Sequence, residues 1–201
     1  VAAGSEPALP PIPGLDTPGV VTSDGLLSDL RPLDRLAIIG GGVIGMELAS
    51  AFHSFGSEVT VIEVLPELFP AEDRKAVNYL SKELKKRGLK ILCKTAVKEI
   101  KKTLDGYLVA YEGEESGEIS ADVVLMATGR KARLSGIDVE ALGLELTGKK
   151  EIRTDCHMQT NLPHVYAIGD GAASSSPMRL TRKARRQYAI SWADRKRQIW
   201  P

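Results

Sequence analysis

Residues 40–45 form the pattern in this sequence with the clearest chemical use. The run GGGVIG fits G-x-G-x-x-G, with the fixed glycines at positions 40, 42 and 45. In such a pattern the first glycine allows a tight strand-to-helix turn, the second lets a pyrophosphate approach the backbone, and the third lets the helix pack closely on the strand. The helix that begins there offers unpaired N–H groups and a positive dipole end to phosphates. The motif therefore predicts a dinucleotide site whose cofactor-binding residues include Gly40, Gly42, Val43, Ile44 and Gly45.

An acidic residue follows at the distance that this kind of site requires. Glu63 lies 18 residues beyond Gly45 and ends a second apolar run. A carboxylate there accepts hydrogen bonds from a ribose diol and repels a 2′-phosphate, and no arginine follows immediately. A glycine-rich loop can match this motif by chance, so the interpretation depends on the order of strand, helix, strand and acid. We predict that Glu63 makes the site prefer NAD(H) over NADP(H).

The elements that must position these residues follow from the spacing of apolar side chains. The predicted buried strands share short apolar runs, at 36–39, 59–62, 89–92 and 123–126. The predicted helices share a helical repeat and a closing glycine, at 43–52 before Gly56 and at 73–87 before Gly88. Strands that alternate with helices predict an α/β fold with a parallel sheet, here a Rossmann-like NAD-binding domain.

Other segments predict additions to this fold. Residues 95–121 alternate apolar and polar around two turn signals, which indicates an inserted antiparallel hairpin or meander. Residues 1–34 hold six prolines and are expected to be an irregular connector. A short strand is predicted at 164–168. The expected division is a connector at 1–34, the NAD-binding domain at 35–150, a further segment at 151–178 and a tail at 179–201.

Composition places the chain among ordinary globular proteins. It has 201 residues, of which 43% are hydrophobic and 26% charged, with a net charge of +1. Its two cysteines, Cys93 and Cys156, have neither redox-pair nor metal-ligand spacing, so we expect incidental thiols, no metal site and a reducing, cytoplasmic setting. No signal peptide pattern is visible at the N-terminus. The most apolar stretch, 36–52, contains glycines and Glu47 and is a poor membrane span.

Three segments, in this order and spacing, resemble a known family. They are RLAIIGGGVIGMELASAFHSFGSEVTVIE, ADVVLMATGRKAR and TNLPHVYAIGD. They resemble flavin-dependent pyridine nucleotide–disulfide oxidoreductases, and among these the dihydrolipoyl dehydrogenases most. The resemblance implies electron transfer between dihydrolipoamide and NAD⁺ through FAD and a disulfide. It also implies a homodimer in full-length members and components of 2-oxoacid dehydrogenase complexes as partners.

The resemblance also assigns roles to individual residues. Glu47 matches a glutamate that lies beside the nicotinamide, although a first-turn glutamate that complements the helix dipole is the alternative. Gly129 and Arg130 match a turn that borders the nicotinamide channel, and otherwise only end a strand. Asp170 matches the aspartate that contacts the ribityl–phosphate region of FAD. The opening VAAGSEP resembles the end of the first segment of the FAD domain, so residues 1–34 are expected to hold a remnant of that domain and residues 151–178 a partial return segment of it.

Several parts of the family pattern have no match in these residues. They are the first G-x-G-x-x-G, the C-x-x-x-x-C redox pair and the C-terminal domain with its His–Glu pair; His53, His157 and His164 do not match that histidine. We therefore assign no catalytic residue, and expect FAD to bind only if the missing segments are supplied. A non-catalytic NAD(H)-binding module is the alternative function.

The last residues depart from the family in another way. Residues 178–201 hold eight Lys or Arg and one acid, with both tryptophans, Trp192 and Trp200. Loss of one nucleotide just after the Met178 codon would convert a family-like Leu-Ala-His-Lys into the observed Arg-Leu-Thr-Arg, so we hypothesise a frameshifted tail from Arg179. A nucleic-acid contact with stacked tryptophans is the less favoured alternative. We expect neither nucleic-acid nor membrane binding.

Overall fold

The structure is a computed structural model that describes residues 1–29, 31–114 and 116–173. Its helices are α1 (Ser23–Ser28), α2 (Val43–Ser54) and α3 (Arg74–Lys86). Its strands are β1 (Ser5–Pro7), β2 (Val20–Thr22), β3 (Arg35–Ile39), β4 (Glu58–Ile62), β5 (Lys90–Leu92), β6 (Ala96–Thr103), β7 (Gly106–Glu112), β8 (Gly117–Ala121), β9 (Val123–Met126) and β10 (Arg130–Ala132). The predicted α/β fold with a parallel sheet and an antiparallel insertion is confirmed.

The parallel sheet has the order β2-β9-β3-β4-β5, with β3 at its centre. The chain runs outward from β3 to β4 and β5 on one side, and β9 and β2 pair on the other side. The strand order therefore reverses at β3. In open α/β sheets, the crevice beyond the carboxyl ends of the strands at such a reversal is where ligands bind. The fold places the glycine motif, which directly follows β3, at that position.

Helices α2 and α3 cover one face of the parallel sheet. The buried face of α2 consists of Gly45, Met46, Ala49 and Phe52, and Gly56, at φ +99°, follows the end of the helix. Helix α3 begins after Asp73, whose carboxylate accepts hydrogen bonds from the amides of Lys75 and Ala76. The apolar side chains of both helices join a buried cluster with those of β3, β4 and β9.

The inserted meander is a three-stranded antiparallel sheet of order β6-β7-β8. Its buried side chains, including Ile100, Tyr107 and Val109, form a second cluster with Ala37 and Ile39 of β3. Alternate residues of β3 therefore face the helices and the meander, and the strand is buried on both sides. This double burial explains why its sequence is apolar throughout rather than alternating.

Two local expectations are wrong. The segment expected to be irregular, 1–34, includes α1 and the edge strand β2, whose Val20–Thr22 pairs in parallel with Val124–Met126. Three residues are too few to show a periodic pattern, and backbone pairing with β9 determines the strand. The strand predicted at 164–168 is reduced to a single bridge between Tyr166 and Gln159, because the segment lacks a continuous ladder of partners within the described residues.

The described chain divides into two compact units. One contains Pro7–Gly129, and the other combines Val1–Glu6 with residues from Arg130 to 173. The four-part division expected from the sequence remains a prediction, and its tail from Arg179 lies outside the described residues. Within those residues, no helix has the length and apolar content needed to span a bilayer.

Candidate nucleotide-binding site

The three fixed glycines of the motif, at positions 40, 42 and 45, have different surroundings. Gly40 has φ +115°, and a Cβ there would lie 2.3 Å from the carbonyl oxygen of Ala127. A Cβ on Gly45 would lie 2.1 Å from the carbonyl oxygen of Gly40. A Cβ on Gly42 would meet nothing within 4 Å. Packing and backbone conformation therefore require glycine at 40 and 45, whereas at 42 the backbone faces open space that a pyrophosphate can enter.

Helix α2 begins at this open space without a protein cap. Gly42 is its N-cap residue, in an extended conformation and with no side-chain hydrogen bond to the first turn. The first amides of a helix have no partner within the helix, so a bound anion would satisfy them. Val43 is exposed and Ile44 half-buried in that first turn. The structure thus brings the predicted residues of the loop together at a helix N-terminus.

Glu63 lies beside the glycine motif, as the sequence predicted. Its side chain is 7% exposed, and its Oε2 accepts a hydrogen bond from the amide of Gly41 at 2.5 Å. Its Oε1 accepts one from the amide of Leu65 at 2.8 Å. An ionised carboxylate has about four acceptor positions, so two backbone bonds leave capacity for a ribose diol.

Glu47 is exposed on the second turn of α2. The helix has no acidic residue in its first turn. The alternative of a first-turn glutamate that complements the helix dipole is therefore wrong, because the dipole effect falls off within that turn. Glu47 follows Val43 by four residues, so both exposed side chains lie on one face of the helix.

The turn that follows β9 is anchored by Ala8, for which the sequence predicts no role. Gly129 has φ +112°, and its carbonyl oxygen accepts a hydrogen bond from the amide of Ala8 at 2.9 Å. The hydroxyl of Thr128 donates to the carbonyl of Ala8 at 2.6 Å. Ala8 therefore fixes the turn that contains the predicted Gly129. Its contacts are made by the backbone, so its side-chain type carries no signal.

A second cluster lies in the unit that contains the two chain segments 1–6 and 130–173. The hydroxyl of Ser5 donates to Oδ2 of Asp170 at 2.8 Å. The Nε of Arg130 donates to the Ser5 hydroxyl at 2.7 Å, and its Nη2 donates to the Ser5 carbonyl at 2.9 Å. The VAAGSEP segment and Asp170 thus meet in this unit. Ser5 lies within the VAAGSEP segment but has no motif of its own that predicts this role.

The two cysteines have different environments. Cys93 is half-buried, and burial is the largest effect that raises the pKa of its thiol. The charge of Lys85 lowers this pKa and that of Glu63 raises it, so the net pKa is above its ordinary value. Cys156 is exposed, and both thiols are free. Among the residues that the structure describes, no group of three His, Cys, Asp or Glu side chains is arranged to hold a metal ion.

Comparison with known proteins defines the class. The profile of the pyridine nucleotide-disulphide oxidoreductase family matches residues 1–187. This chain belongs to that family, whose members use flavin and pyridine nucleotide, and the family resemblance seen in the sequence is confirmed.

Relatives with known names lie within this class. The chain is 41% identical over 176 residues to the dihydrolipoyl dehydrogenase of Acholeplasma laidlawii, covering 85% of this chain and 50% of the relative. It is 39% identical over 171 residues to the mercuric reductase of Acidithiobacillus ferrooxidans, covering 85% of this chain and 30% of that enzyme. The chain therefore spans half or less of the length of these relatives.

Solved structures support the same class. The HOCl-induced flavoprotein disulfide reductase RclA from Escherichia coli, as a Cu(II) complex, is similar with a TM-score of 0.83 and 29% identity, over 92% of this chain and 43% of that protein. A NAD-dependent persulfide reductase from A. fulgidus is similar with a TM-score of 0.80 and 28% identity, over 92% and 37% of the two chains.

Proposed function

We propose that the unit of residues 7–129 binds NAD(H) as the nucleotide-binding portion of a flavin-dependent disulfide oxidoreductase similar to dihydrolipoyl dehydrogenase. One observation carries the proposal. The buried carboxylate of Glu63 is held against the amide of Gly41, next to the open backbone of Gly42. A ribose acceptor and a phosphate-binding helix terminus are therefore adjacent.

The two halves of the dinucleotide meet different groups. The pyrophosphate contacts the amides at the start of α2, and the adenosine ribose donates to Glu63. A 2′-phosphate at the same place would meet a negative charge, and the residues that follow Glu63 (Val64, Leu65 and Pro66) are not basic. The site therefore selects NAD(H). Glu47 and Gly129 contact the nicotinamide end in this proposal.

The flavin side of the proposal depends on the other unit. FAD, when bound, supplies the electron transfer between a disulfide and the nicotinamide. Asp170, held by the hydroxyl of Ser5, contacts the ribityl–phosphate region of that cofactor. The full protein is then a cytoplasmic homodimer that converts dihydrolipoamide and NAD⁺ to lipoamide and NADH, in contact with a 2-oxoacid dehydrogenase complex.

Calorimetric titration of the full chain with NADH and then NADPH tests the nucleotide proposal. We expect NADH to bind at least about tenfold more tightly than NADPH, a difference of about 1.4 kcal/mol. Circular dichroism of the same sample establishes that the chain is folded. A folded chain that binds neither nucleotide would overturn the proposal, and equal binding would overturn the role of Glu63.

A second candidate is a NAD(H)-binding module without catalysis. The only two cysteines of the chain, Cys93 and Cys156, are 63 residues apart and both free. The visible absorbance of the purified protein after incubation with FAD distinguishes the candidates. Retained flavin that NADH bleaches supports the oxidoreductase. NADH binding without flavin retention supports the module.

A further inference from the structure

The second residue of the glycine motif, Gly41, is the focus of a set of contacts that the motif itself does not require. The G-x-G-x-x-G pattern leaves this position open to any residue. Gly41 is buried and is not among the residues with positive φ, so its backbone conformation does not demand glycine. Its surroundings leave little room for a side chain. A Cβ there would lie 2.4 Å from Cδ2 of Leu68 and 3.2 Å from both Cβ and Oε2 of Glu63.

The side chain of Leu68 is buried in this position. It is 2% exposed and belongs to the buried cluster beneath α2 and α3. The next residue, Phe69, has φ +47°, an uncommon conformation for a residue other than glycine, and its amide donates to the carbonyl of Gly41 at 3.1 Å. Both residues belong to the loop of residues 64–69, which follows β4.

Both polar backbone groups of Gly41 are therefore bonded to the chain that follows β4. Its amide donates to Glu63, its carbonyl accepts from Phe69, and Leu68 fills the space beside its Cα. The loop is fixed in turn, because the amide of Lys94 donates to the carbonyl of Leu65 at 2.9 Å. The glycine motif cannot shift at Gly41 without breaking these contacts.

We propose that Leu68 is a positioning residue for dinucleotide binding, which holds Gly41 and thereby aligns the neighbouring Gly42 backbone with the pyrophosphate. The inference rests on the proposed NAD(H) function. A loop held in its binding conformation before the ligand arrives avoids the ordering cost at binding. The 64–69 loop thus connects the ribose-binding Glu63 with the phosphate-binding turn. This connection depends on Gly41 having no side chain in the space that the Leu68 side chain fills.

A double-mutant cycle with the full chain tests this match. Gly41→Ala introduces a methyl group where Cδ2 of Leu68 lies, and we expect NADH and ADP to bind about tenfold more weakly, by the same factor for both because they share the pyrophosphate. Leu68→Ala removes the overlapping atom. The double variant is therefore expected to bind NADH more tightly than Gly41→Ala alone. Leu68→Val, which also lacks a Cδ atom, replaces Leu68→Ala if that variant does not fold.

A core control separates positioning from stability. Leu84→Ala truncates a buried leucine of the same cluster on α3, away from the glycine motif. It is expected to lower the melting temperature and to leave the NADH dissociation constant unchanged. Unaltered NADH binding by Gly41→Ala, or a double variant weakened by the product of the single effects, would overturn the role of Leu68. Wild-type protein that binds no NADH would instead overturn the proposed function on which it rests.

Discussion

The Glu63 carboxylate and the Gly41 amide are joined by a hydrogen bond of 2.5 Å that connects the end of β4 to the glycine motif. Glu63 was predicted from the sequence as a ribose acceptor alone. The structure gives its carboxylate an additional role, because it also accepts the hydrogen bond of the buried Gly41 amide. Changes at Glu63 therefore affect the shape of the site as well as its selectivity.

Substitutions of Glu63 are expected to separate these two roles. Glu63→Gln keeps an acceptor oxygen but loses the charge, so NADH binds about tenfold more weakly and the preference over NADPH decreases. Glu63→Ala leaves the Gly41 amide buried without an acceptor and lowers the free energy of unfolding by about 1–3 kcal/mol. Calorimetry and denaturant unfolding measure the two effects. Glu58→Gln, at the opposite end of β4, is the control and should change neither.

Alanine at Gly42 should weaken NADH binding with little loss of stability, whereas alanine at Gly45 should lower stability. Gly42→Ala meets no atom within 4 Å, and Ala tolerates the extended backbone there, so unfolding free energy falls by less than about 1 kcal/mol. NADH binding weakens because the methyl group occupies the pyrophosphate space. Gly45→Ala would place a Cβ 2.1 Å from the Gly40 carbonyl and should cost about 1–3 kcal/mol of stability. Equal melting temperatures for the two variants would contradict this interpretation.

Asp122 is expected to make stability depend on acid pH. Its carboxylate accepts hydrogen bonds from the amides of Asp34 and Arg35 and from Nε and Nη2 of Arg35. Burial raises the pKa of Asp122. The hydrogen bonds and the charge of Arg35 together lower it by more than burial raises it, so the pKa lies below its ordinary value.

The sign of this effect follows from the lowered pKa. The stabilisation is present above the unfolded pKa of about 3.9 and is lost as pH falls through the lower folded pKa. Asp122→Asn should therefore melt at lower temperature at neutral pH and lose less stability between about pH 5 and 2 than the wild type. Thermal melts across that range measure it. Parallel curves for the two proteins would show that Asp122 does not contribute.

Thiol reactivity is expected to differ between the two cysteines. Cys156 is exposed, whereas Cys93 is half-buried and its thiol pKa is raised by burial, which reduces the reactive thiolate at neutral pH. A disulfide-exchange reagent at pH 7.5 should modify Cys156 in a fast phase and Cys93 in a slow one. Cys156→Ser should remove the fast phase and Cys93→Ser the slow phase. The reverse assignment would contradict the described environments.

Most of the parallel sheet could be predicted because each strand and helix carries its own pattern. The helix expected at 73–87 is α3 with its two cap residues, Asp73 and Arg87, and the strand expected at 123–126 is β9. The edge strand β2 was missed because three half-buried residues show no periodicity. The strand expected at 164–168 was wrong because its apolar run has the local pattern of a strand but, among the described residues, only one bridge partner, Gln159.

The glycine motif and Glu63 were determined by the sequence itself, because the turn, the helix terminus and the acidic strand end follow from residue types within about 24 positions. Tertiary structure alone decided that Leu68 packs against Gly41 and that Ser5 meets Asp170 across 165 positions of the chain. Local propensity is set by neighbouring residues, whereas such contacts depend on the path of the whole chain and on which side chains fill the same space.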